Sequence, residues 1–475
     1  MVCSFFINCC KNVIISILLN KYCIQYNYRE GEGFIVANLS FKRGIHPPYK
    51  KNLTNLKPIE YLLPKGDLVF PMAQHIGAPC KPVVKKGERV LVGQLIGEPQ
   101  GFVSSPVHSS VSGIVKDIKP VLVSNGSYVQ SVIVENDNMY EEHESIGPKG
   151  DYLKMSREEK IKIIKDAGIV GMGGAGFPTF IKVSPEKPDE INHIIINGAE
   201  CEPYLTSDHR IMLEEAEKVV IGLKIVLSMF KNAKGIIAIE DNKPDAIEKI
   251  NECIKLEKDI KVAIVKTKYP QGGEKQLIYA VTKREVPSKQ LPSSVGCIVM
   301  NIDTSVAIHR AIVRGRPIMR RIVTVSGDAI KNPKNYKVRI GTNYQELIDA
   351  AGGFDKQPEK IISGGPMMGT AIQSLDMPII KGTSAILSFS KEEYKPANER
   401  NCIRCGKCVQ VCPMNLIPLE LNINSLNGEY DEFEKNHGFD CIECGCCSYI
   451  CPADRFLVQS FRTCKRTIMM NKKKK

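Results

Sequence analysis

Cys402-Ile-Arg-Cys405-Gly-Lys-Cys408-Val-Gln-Val-Cys412-Pro413 returns later in the chain as Cys441-Ile-Glu-Cys444-Gly-Cys446-Cys447-Ser-Tyr-Ile-Cys451-Pro452. Both runs follow C-x2-C-x2-C-x3-C-P. Three thiolates at that spacing wrap one face of an iron–sulfur cubane, while the fourth, carried past a turn and followed by proline, points to a second cubane. The expected ligand sets are therefore crossed: Cys402, Cys405, Cys408 and Cys451 for one [4Fe–4S] cluster, and Cys441, Cys444, Cys447 and Cys412 for the other. Structural zinc prefers two short Cys/His pairs per ion, and disulfides need an oxidising compartment, for which no convincing secretory signal is present. Cys446 falls off the ligand spacing and reads as a small buried thiol beside a cluster, as does Cys464.

A second group of residues could handle a phosphorylated cofactor. Gly168-Ile-Val-Gly-Met-Gly-Gly-Ala-Gly-Phe-Pro-Thr179 is dense in glycine, so its backbone amides can approach a phosphate without Cβ obstruction. By itself such a loop is also compatible with a plain tight turn. It is followed by Asn197-Gly-Ala-Glu-Cys-Glu-Pro203, Tyr269-Pro-Gln-Gly-Gly-Glu274 and Val299-Met-Asn-Ile-Asp-Thr304. The first of these places two carboxylates and an amide at the C-terminal end of an apolar strand, where open α/β sheets bind ligands. Cys201, inside that motif, reads as an apolar filler.

The elements that must position these groups follow from periodicity. Ser156-Arg-Glu-Glu159 is a capping box opening a helix to about Asp166. Strands are expected at 191–196, 235–240 and 261–265, and helices at 208–231 and 244–255; strands alternating with helices imply a mostly parallel sheet. Upstream, short β signals at 66–71, 81–92, 113–116 and 129–134 are punctuated by Gly and Pro, after an extended entry Phe41-Lys-Arg-Gly-Ile-His-Pro-Pro48. Their pattern resembles the barrel-sandwich hybrids related to lipoyl and biotinyl domains. Pro106-Val-His-Ser-Ser-Val-Ser-Gly113 offers no lysine at the hairpin tip, so a docking domain is expected rather than a carrier. His46, His75 and His108 have no ligand-spaced partners and read as hydrogen-bonding side chains. Strands at 321–327 and 337–341, then a helix at 343–351, suggest a small β module, and a turn at Gly364–Gly369 either packs or faces the cofactor. Residues 392–400 read as a linker into the cysteine-rich region, which should hold helices near 430–435 and 453–470.

The chain has 475 residues, too many for one core and enough for three to four domains. Its net charge of +13 includes the terminal lysines 472–475, and no basic block is interleaved with aromatics, which argues against nucleic-acid binding. The best apolar run, Val13–Leu19, is bounded by Lys11 and Lys21 and is too short for the roughly 20 residues of a spanning helix. Residues 1–35 differ from the rest, holding Cys3, Cys9, Cys10 and Cys23 without an amphipathic period. The preferred expectation is that they are not translated and that Val36 is the start; the alternative is a membrane-surface anchor.

The order of the glycine loop and the three later motifs resembles the flavin-carrying, NADH-oxidising subunit of respiratory complex I. Carried over residue by residue, the resemblance implies FMN contacts from Gly171, Gly173, Gly174, Lys182, Asn197, Glu200, Tyr269, Gly272, Asn301 and Thr304. It implies nicotinamide-nucleotide contacts from Phe177, Glu202 and Glu274. The chain departs from the pattern at Met172, where an arginine is expected, and at Ala199, Gly273 and Met300, in place of Asp, Glu and Asn. Losing the arginine removes a phosphate-facing cation.

Adding F-K-x-G-I-H-P-P, H-I-G-A-P at His75–Pro79 and C-I-E-C-G-C-C-S-Y-x-C-P, the chain resembles the RnfC family, a component of the Rnf ion-translocating electron-transport complexes. The fold this implies is multidomain α/β: an N-terminal β barrel-sandwich hybrid at 37–150, a complex-I-like FMN/NADH α/β domain at 151–317, a β-grasp (SLBB-like) module at 318–390 and a helical two-[4Fe–4S] ferredoxin domain at 391–470. An N-terminal extension at 1–36 and a lysine tail at 471–475 complete it. The function implied is that of a translocase component, peripheral on the cytoplasmic side of the cell membrane. It would pass electrons between NAD(H) and, through membrane-embedded and cluster-carrying partner subunits, ferredoxin. Two other readings stay open: part of a soluble diaphorase-type flavin/iron–sulfur dehydrogenase, and a cluster-only electron-transfer protein without flavin.

Overall fold

The structure is a computed structural model that describes residues 13–19, 22–28 and 39–474. Strands Val13–Leu19 and Tyr22–Tyr28 pair antiparallel. The two expectations for residues 1–35 otherwise lie outside the described residues.

The α/β domain is built on four parallel strands in the spatial order Ile260–Val265, Lys234–Glu240, His193–Gly198, Cys297–Asn301. The first strand in sequence thus has the second on one side and the fourth on the other. At that point the winding direction reverses and a crevice opens beyond the strand ends. The register sets Asn197 opposite Asn301 at this crevice, so one side chain from each of two motifs far apart in sequence is brought to one place. Ser156 and Glu159 make the reciprocal capping box, opening the helix Arg157–Asp166.

The long helix expected at 208–231 is two helices, Ser207–Glu214 and Ala216–Leu227, broken at Glu215, whose φ of −129° leaves the helical region. The break turns the Glu215 carboxylate inward. Lys337 reaches it at 2.6 Å, and Arg310 bonds both of its oxygens.

Two antiparallel sheets form the N-terminal domain. One has the order Leu68–Pro71, Tyr128–Asn136, Gly113–Leu122, Arg89–Val90; the other has Lys81–Pro82, Leu95–Glu98, Val107–His108. The β signal over 81–92 forms two short strands separated by a turn in which Gly87 takes φ +85°. The β-grasp sheet contains Thr370–Ile372, Lys360–Ser363, Ala385–Phe389, Arg320–Ser326 and Lys334–Arg339, and gains an edge strand, Glu60–Leu62, from the N-terminal region.

Residues 39–62 lace the units together. Leu39 bridges to Val265, Ile45 to Tyr269, and Glu60–Leu62 adds to the β-grasp sheet. Lys381, in the β-grasp module, is 1% exposed and donates to the carbonyls of Pro106 and Gly168, at 2.6 and 2.7 Å. Its amine thereby ties three units at one buried point, where burial pushes it down to about 7.

The cysteine-rich region is helical: Lys407–Val411, Pro418–Asn427, Tyr430–Lys435, Cys446–Tyr449 and Leu457–Lys474 pack around Leu421, Phe433 and Phe461. The last helix starts four residues later than expected, after a turn in which Asp454 takes φ +51°.

Candidate metal centres and glycine-loop site

The two cysteine runs fold alike. Arg404 and Glu443 stand at the same place in their runs and take φ +54° and +56°; Gly406 and Gly445, two residues on, take +73° and +82° and open the short helices Lys407–Val411 and Cys446–Tyr449. This curls each loop around its thiols. The amide of Arg404 points at the Cys402 sulfur, and that of Glu443 at the Cys441 sulfur, both at 3.4 Å. N–H groups aimed at ligand sulfurs are one of the protein's levers on cluster potential.

Two cavities result. One has Cys412, Cys441, Cys444 and Cys447 in its wall; the other has Cys402, Cys405, Cys408 and Cys451. Each wall takes the three C-x2-C-x2-C cysteines of one run and the last cysteine of the other, and the first wall holds Cys446 as a fifth thiol. Among the described residues no three His, Cys, Asp or Glu side chains converge as they would on a single ion. Zinc–sulfur bonds of about 2.3 Å would draw four sulfurs within roughly 4 Å of one another. Four thiols of the C-x2-C-x2-C-x3-C-P runs lining one cavity are the donor set for a cubane, so the residues present fit the group. Cys446 is fully buried in the wall of the first cavity, its thiol 4.0 Å from the Tyr269 carbonyl. Cys464 is buried in the helical core.

The two cavities sit differently. Cys402 and Cys405 are exposed, whereas Cys412, Cys444 and Cys447 are buried. The buried cavity abuts the α/β domain: the Tyr269 hydroxyl donates to the Cys444 carbonyl at 2.7 Å, and Gln276 donates to the Met414 sulfur at 3.1 Å. The Phe41–Pro48 entry straps the same joint. Its Gly44 amide donates to the Val411 carbonyl and its Arg43 guanidinium to that of Val409, while Ile45 exchanges backbone bonds with Tyr269. A Cβ on Gly44 would lie 2.5 Å from the Tyr269 oxygen, so the close approach requires glycine there. In sequence this stretch reads as an extended entry and a family signature, and Gly44, after Arg43, is its one trace of the close approach.

The glycine loop lies at the crevice. Gly171 closes it by donating to Phe177, and the Met172 amide donates to the Thr304 hydroxyl at 3.1 Å. Gly173, Gly174 and Ala175 are exposed. The amides of residues 173–176 donate to no protein acceptor among the described residues. A Cβ on Gly173 would lie 2.8 Å from Asn301 Nδ2, whereas Gly174 faces open space. A run of free amides on a cradle that a side chain would fill fits a phosphate.

The remaining predicted residues divide. Asn301 and Thr304 face the loop's inner side, and Asn197 stands opposite Asn301 in the sheet register: Asn197 donates to the Gly272 carbonyl at 2.8 Å, and Asn301 caps the helix Ile302–Arg314 and donates to Asp208 at 2.6 Å. Lys182 and Glu274 pair at 2.7 Å, both partly exposed, and Phe177 is half-buried nearby in the chain. Glu200, at φ +47°, turns inward, and its carboxylate accepts from the first amides of the helix Ser207–Glu214. Gly272 donates to the Cys201 sulfur at 3.3 Å, so that thiol accepts a hydrogen bond as well as filling space. Tyr269 is 1% exposed and engaged at the cluster joint.

Glu202 reaches away to the turn Gly364–Gly369, accepting from the amides of Met367 and Met368 at 3.0 and 2.9 Å. Burial pushes its carboxyl up to about 7, with those amides opposing. Burial and the neighbouring Glu200 and Asp303 likewise raise Asp208 to about 7. The turn can pack this closely only because residue 365 is glycine; a Cβ would fall 2.3 Å from the Glu202 carboxylate. Gly365→Ala should therefore cost about 1–3 kcal/mol and loosen the joint between the β-grasp and α/β units, seen as a lower melting temperature and faster proteolysis near residue 365.

Comparisons with known proteins place these features in families. A 4Fe-4S dicluster domain matches residues 401–455, a Nuo51 FMN-binding domain 164–310, an RnfC barrel sandwich hybrid domain 39–139 and an SLBB domain 322–371. The chain is 48% identical, over 92% of its length and 99% of the relative's, to the C subunit of the Na(+)-translocating ferredoxin:NAD(+) oxidoreductase complex of Acetobacterium woodii. It is 46% identical to the proton-translocating counterpart of Clostridium ljungdahlii, over 84% of this chain and 87% of that one. A solved chain of an NAD+-reducing [NiFe]-hydrogenase in the H2-reduced state superposes with a TM-score of 0.46 at 17% identity, covering 68% of this chain and 62% of the other. Among the described residues no helix is long and apolar enough to cross a membrane. With matched units in this order and nearly half its residues shared with a relative over almost their full lengths, the chain belongs to the RnfC family of ion-translocating ferredoxin:NAD+ oxidoreductase complexes.

Proposed function

We propose that this chain is the nucleotide-facing electron-transfer component of a membrane-bound, ion-translocating ferredoxin:NAD+ oxidoreductase, peripheral on the cytoplasmic side. What carries the reading is the pair of cavities, each with one crossed set of four cysteines in its wall. Cys412, Cys441, Cys444 and Cys447 would hold one [4Fe–4S] cluster, and Cys402, Cys405, Cys408 and Cys451 the other. The glycine loop, with Gly171, Gly173 and Gly174, would take the FMN phosphate. Lys182, Asn197, Glu200, Tyr269, Gly272, Asn301 and Thr304 would contact the flavin, and Phe177, Glu202 and Glu274 would serve the nicotinamide nucleotide. A flavin supplies the exchange between paired electrons from a nicotinamide and the single electrons a cubane takes.

The chain's own residues give the transfer a direction in space. The Cys412/Cys441 site is buried against the α/β domain and bonded to Tyr269, whereas Cys402 and Cys405 lie open at the surface. The buried cluster is thus assigned next to the flavin, and the outer one next to the partner subunits that lead to ferredoxin. The functional units assigned are residues 37–150 for docking, 151–317 for flavin and nucleotide, 318–390 for the β-grasp module and 391–470 for the clusters. Glu60–Leu62, at the β-grasp edge, belongs structurally with the third.

The anaerobically purified chain is expected to hold about eight irons, from two cubanes, and one FMN, all reduced by NADH. Iron at that level with no flavin uptake and no response to NADH would leave a cluster-only protein. Engagement of Glu202 and Tyr269 in protein contacts favours that second reading.

A further inference from the structure

Position 172, where the flavin domain of complex I has an arginine, carries a methionine that points away from the loop's open side. Met172 is 2% exposed and packs in the core of the N-terminal sheets with Ile318 and Ile340. Its backbone is held from both ends: the amide by the Thr304 hydroxyl at 3.1 Å, and the carbonyl by Arg321 Nη2 at 3.1 Å. Arg321 comes from the β-grasp strand Arg320–Ser326 and is 3% exposed. Its Nε donates to the Thr383 carbonyl at 3.0 Å, and its Nη1 is paired with the buried carboxylate of Asp303. All three guanidinium nitrogens are therefore committed, and one of them is committed to the glycine loop.

The Met172 carbonyl and the Gly173 amide are two ends of one peptide unit. A charged donor on the carbonyl polarises that unit and strengthens its N–H as a donor on the opposite side. That N–H belongs to exposed Gly173 and has no protein acceptor among the described residues. Behind the loop, Glu200, Asp208 and Asp303 form a buried acidic group that would oppose an anion; Arg321 is the cation bonded directly between this group and the loop.

We propose that Arg321, fixed by Asp303, is the positioning residue of the phosphate loop: through the Met172 carbonyl it orients and polarises the Gly173 amide toward the phosphate of FMN. The β-grasp module thus supplies, from behind and through the main chain, the positive charge that residue 172 lacks. This rests on the flavin reading above.

The test compares FMN with riboflavin, which lacks the phosphate, on the full chain purified anaerobically and freed of flavin. Arg321→Gln alone would strand a buried carboxylate, so the decisive variant is Arg321→Gln/Asp303→Asn, which removes both charges together, with Asn keeping the shape of Asp303 and Gln shorter than the arginine it replaces. Flavin fluorescence quenching is expected to show FMN affinity falling about tenfold, the scale of one hydrogen bond to a charged group, with riboflavin affinity unchanged. Equal losses for both flavins would mean a merely structural role, and no change in the FMN-to-riboflavin ratio would likewise overturn the proposal. A parent chain that binds neither flavin, or both alike, would instead refute the placement of FMN phosphate in the loop.

Discussion

Cys412→Ala, a substitution in the first cysteine run, is expected to destroy the cluster that belongs to the second. Its sulfur lines the same cavity as Cys441, Cys444 and Cys447, so iron should fall from about eight to about four per chain. The remaining EPR spectrum should match that of Cys441→Ala. Cys451→Ala should match Cys402→Ala instead, since those two sulfurs line the outer cavity. Grouping by run, with Cys412→Ala resembling Cys402→Ala, would contradict the crossed arrangement. The same variants test the spatial order. With the buried cluster lost, NADH should no longer reduce the outer one, whereas Cys451→Ala should leave the buried cluster reducible by NADH.

Glu215→Gln should be the most damaging substitution away from the cofactor sites. The carboxylate is 7% exposed at the break between two helices, bonded by Arg310 and Lys337, with Lys218 at 3.6 Å and Arg320 at 3.9 Å. Lys337 and Arg320 belong to β-grasp strands, so the charge group joins two units. Removing one partner of a buried pair strands the others, at a cost of about 3–5 kcal/mol, which corresponds to a fall of about 10 °C in melting temperature. Acid should do the same to the parent chain. Burial alone would raise this carboxyl, but Arg310 and Lys337 hold it down at about 2. A folded-state pKa below the unfolded value means that the stability is present above the usual carboxylate range and lost as pH falls toward 2. Melting temperatures followed from pH 7 downward should drop more steeply for the parent than for Glu215→Gln between pH 4.5 and 2; parallel curves would show that the group does not carry this charge.

Local chemistry was legible in the sequence wherever spacing along one chain segment fixes geometry. The C-x2-C-x2-C-x3-C-P runs dictate turns that curl around a cubane, and the structure gives both runs the same left-handed residues. Ser156 and Glu159 announced a helix start that forms as a capping box. Alternating apolar segments implied the parallel sheet, though not the interruption at Glu215, because a buried charge whose partners lie 95 and 122 residues away leaves no periodic trace.

What the sequence determined by itself is therefore the family, the fold class and the chemistry available: eight thiols at cubane spacing, a glycine loop and the carboxylates and amides after the strands. Only the tertiary structure decided which cavity faces the α/β domain, because that follows from Tyr269 meeting Cys444 across 175 residues. It also decided that Met172 turns into an apolar core and that Arg321 arrives behind the loop, 149 residues on. The physical reason is the same in each case. Spacing along a chain constrains only neighbours, whereas the partner of a buried charge or carbonyl is set by which surfaces the whole chain buries together, since no polar group can stay buried unpaired without cost.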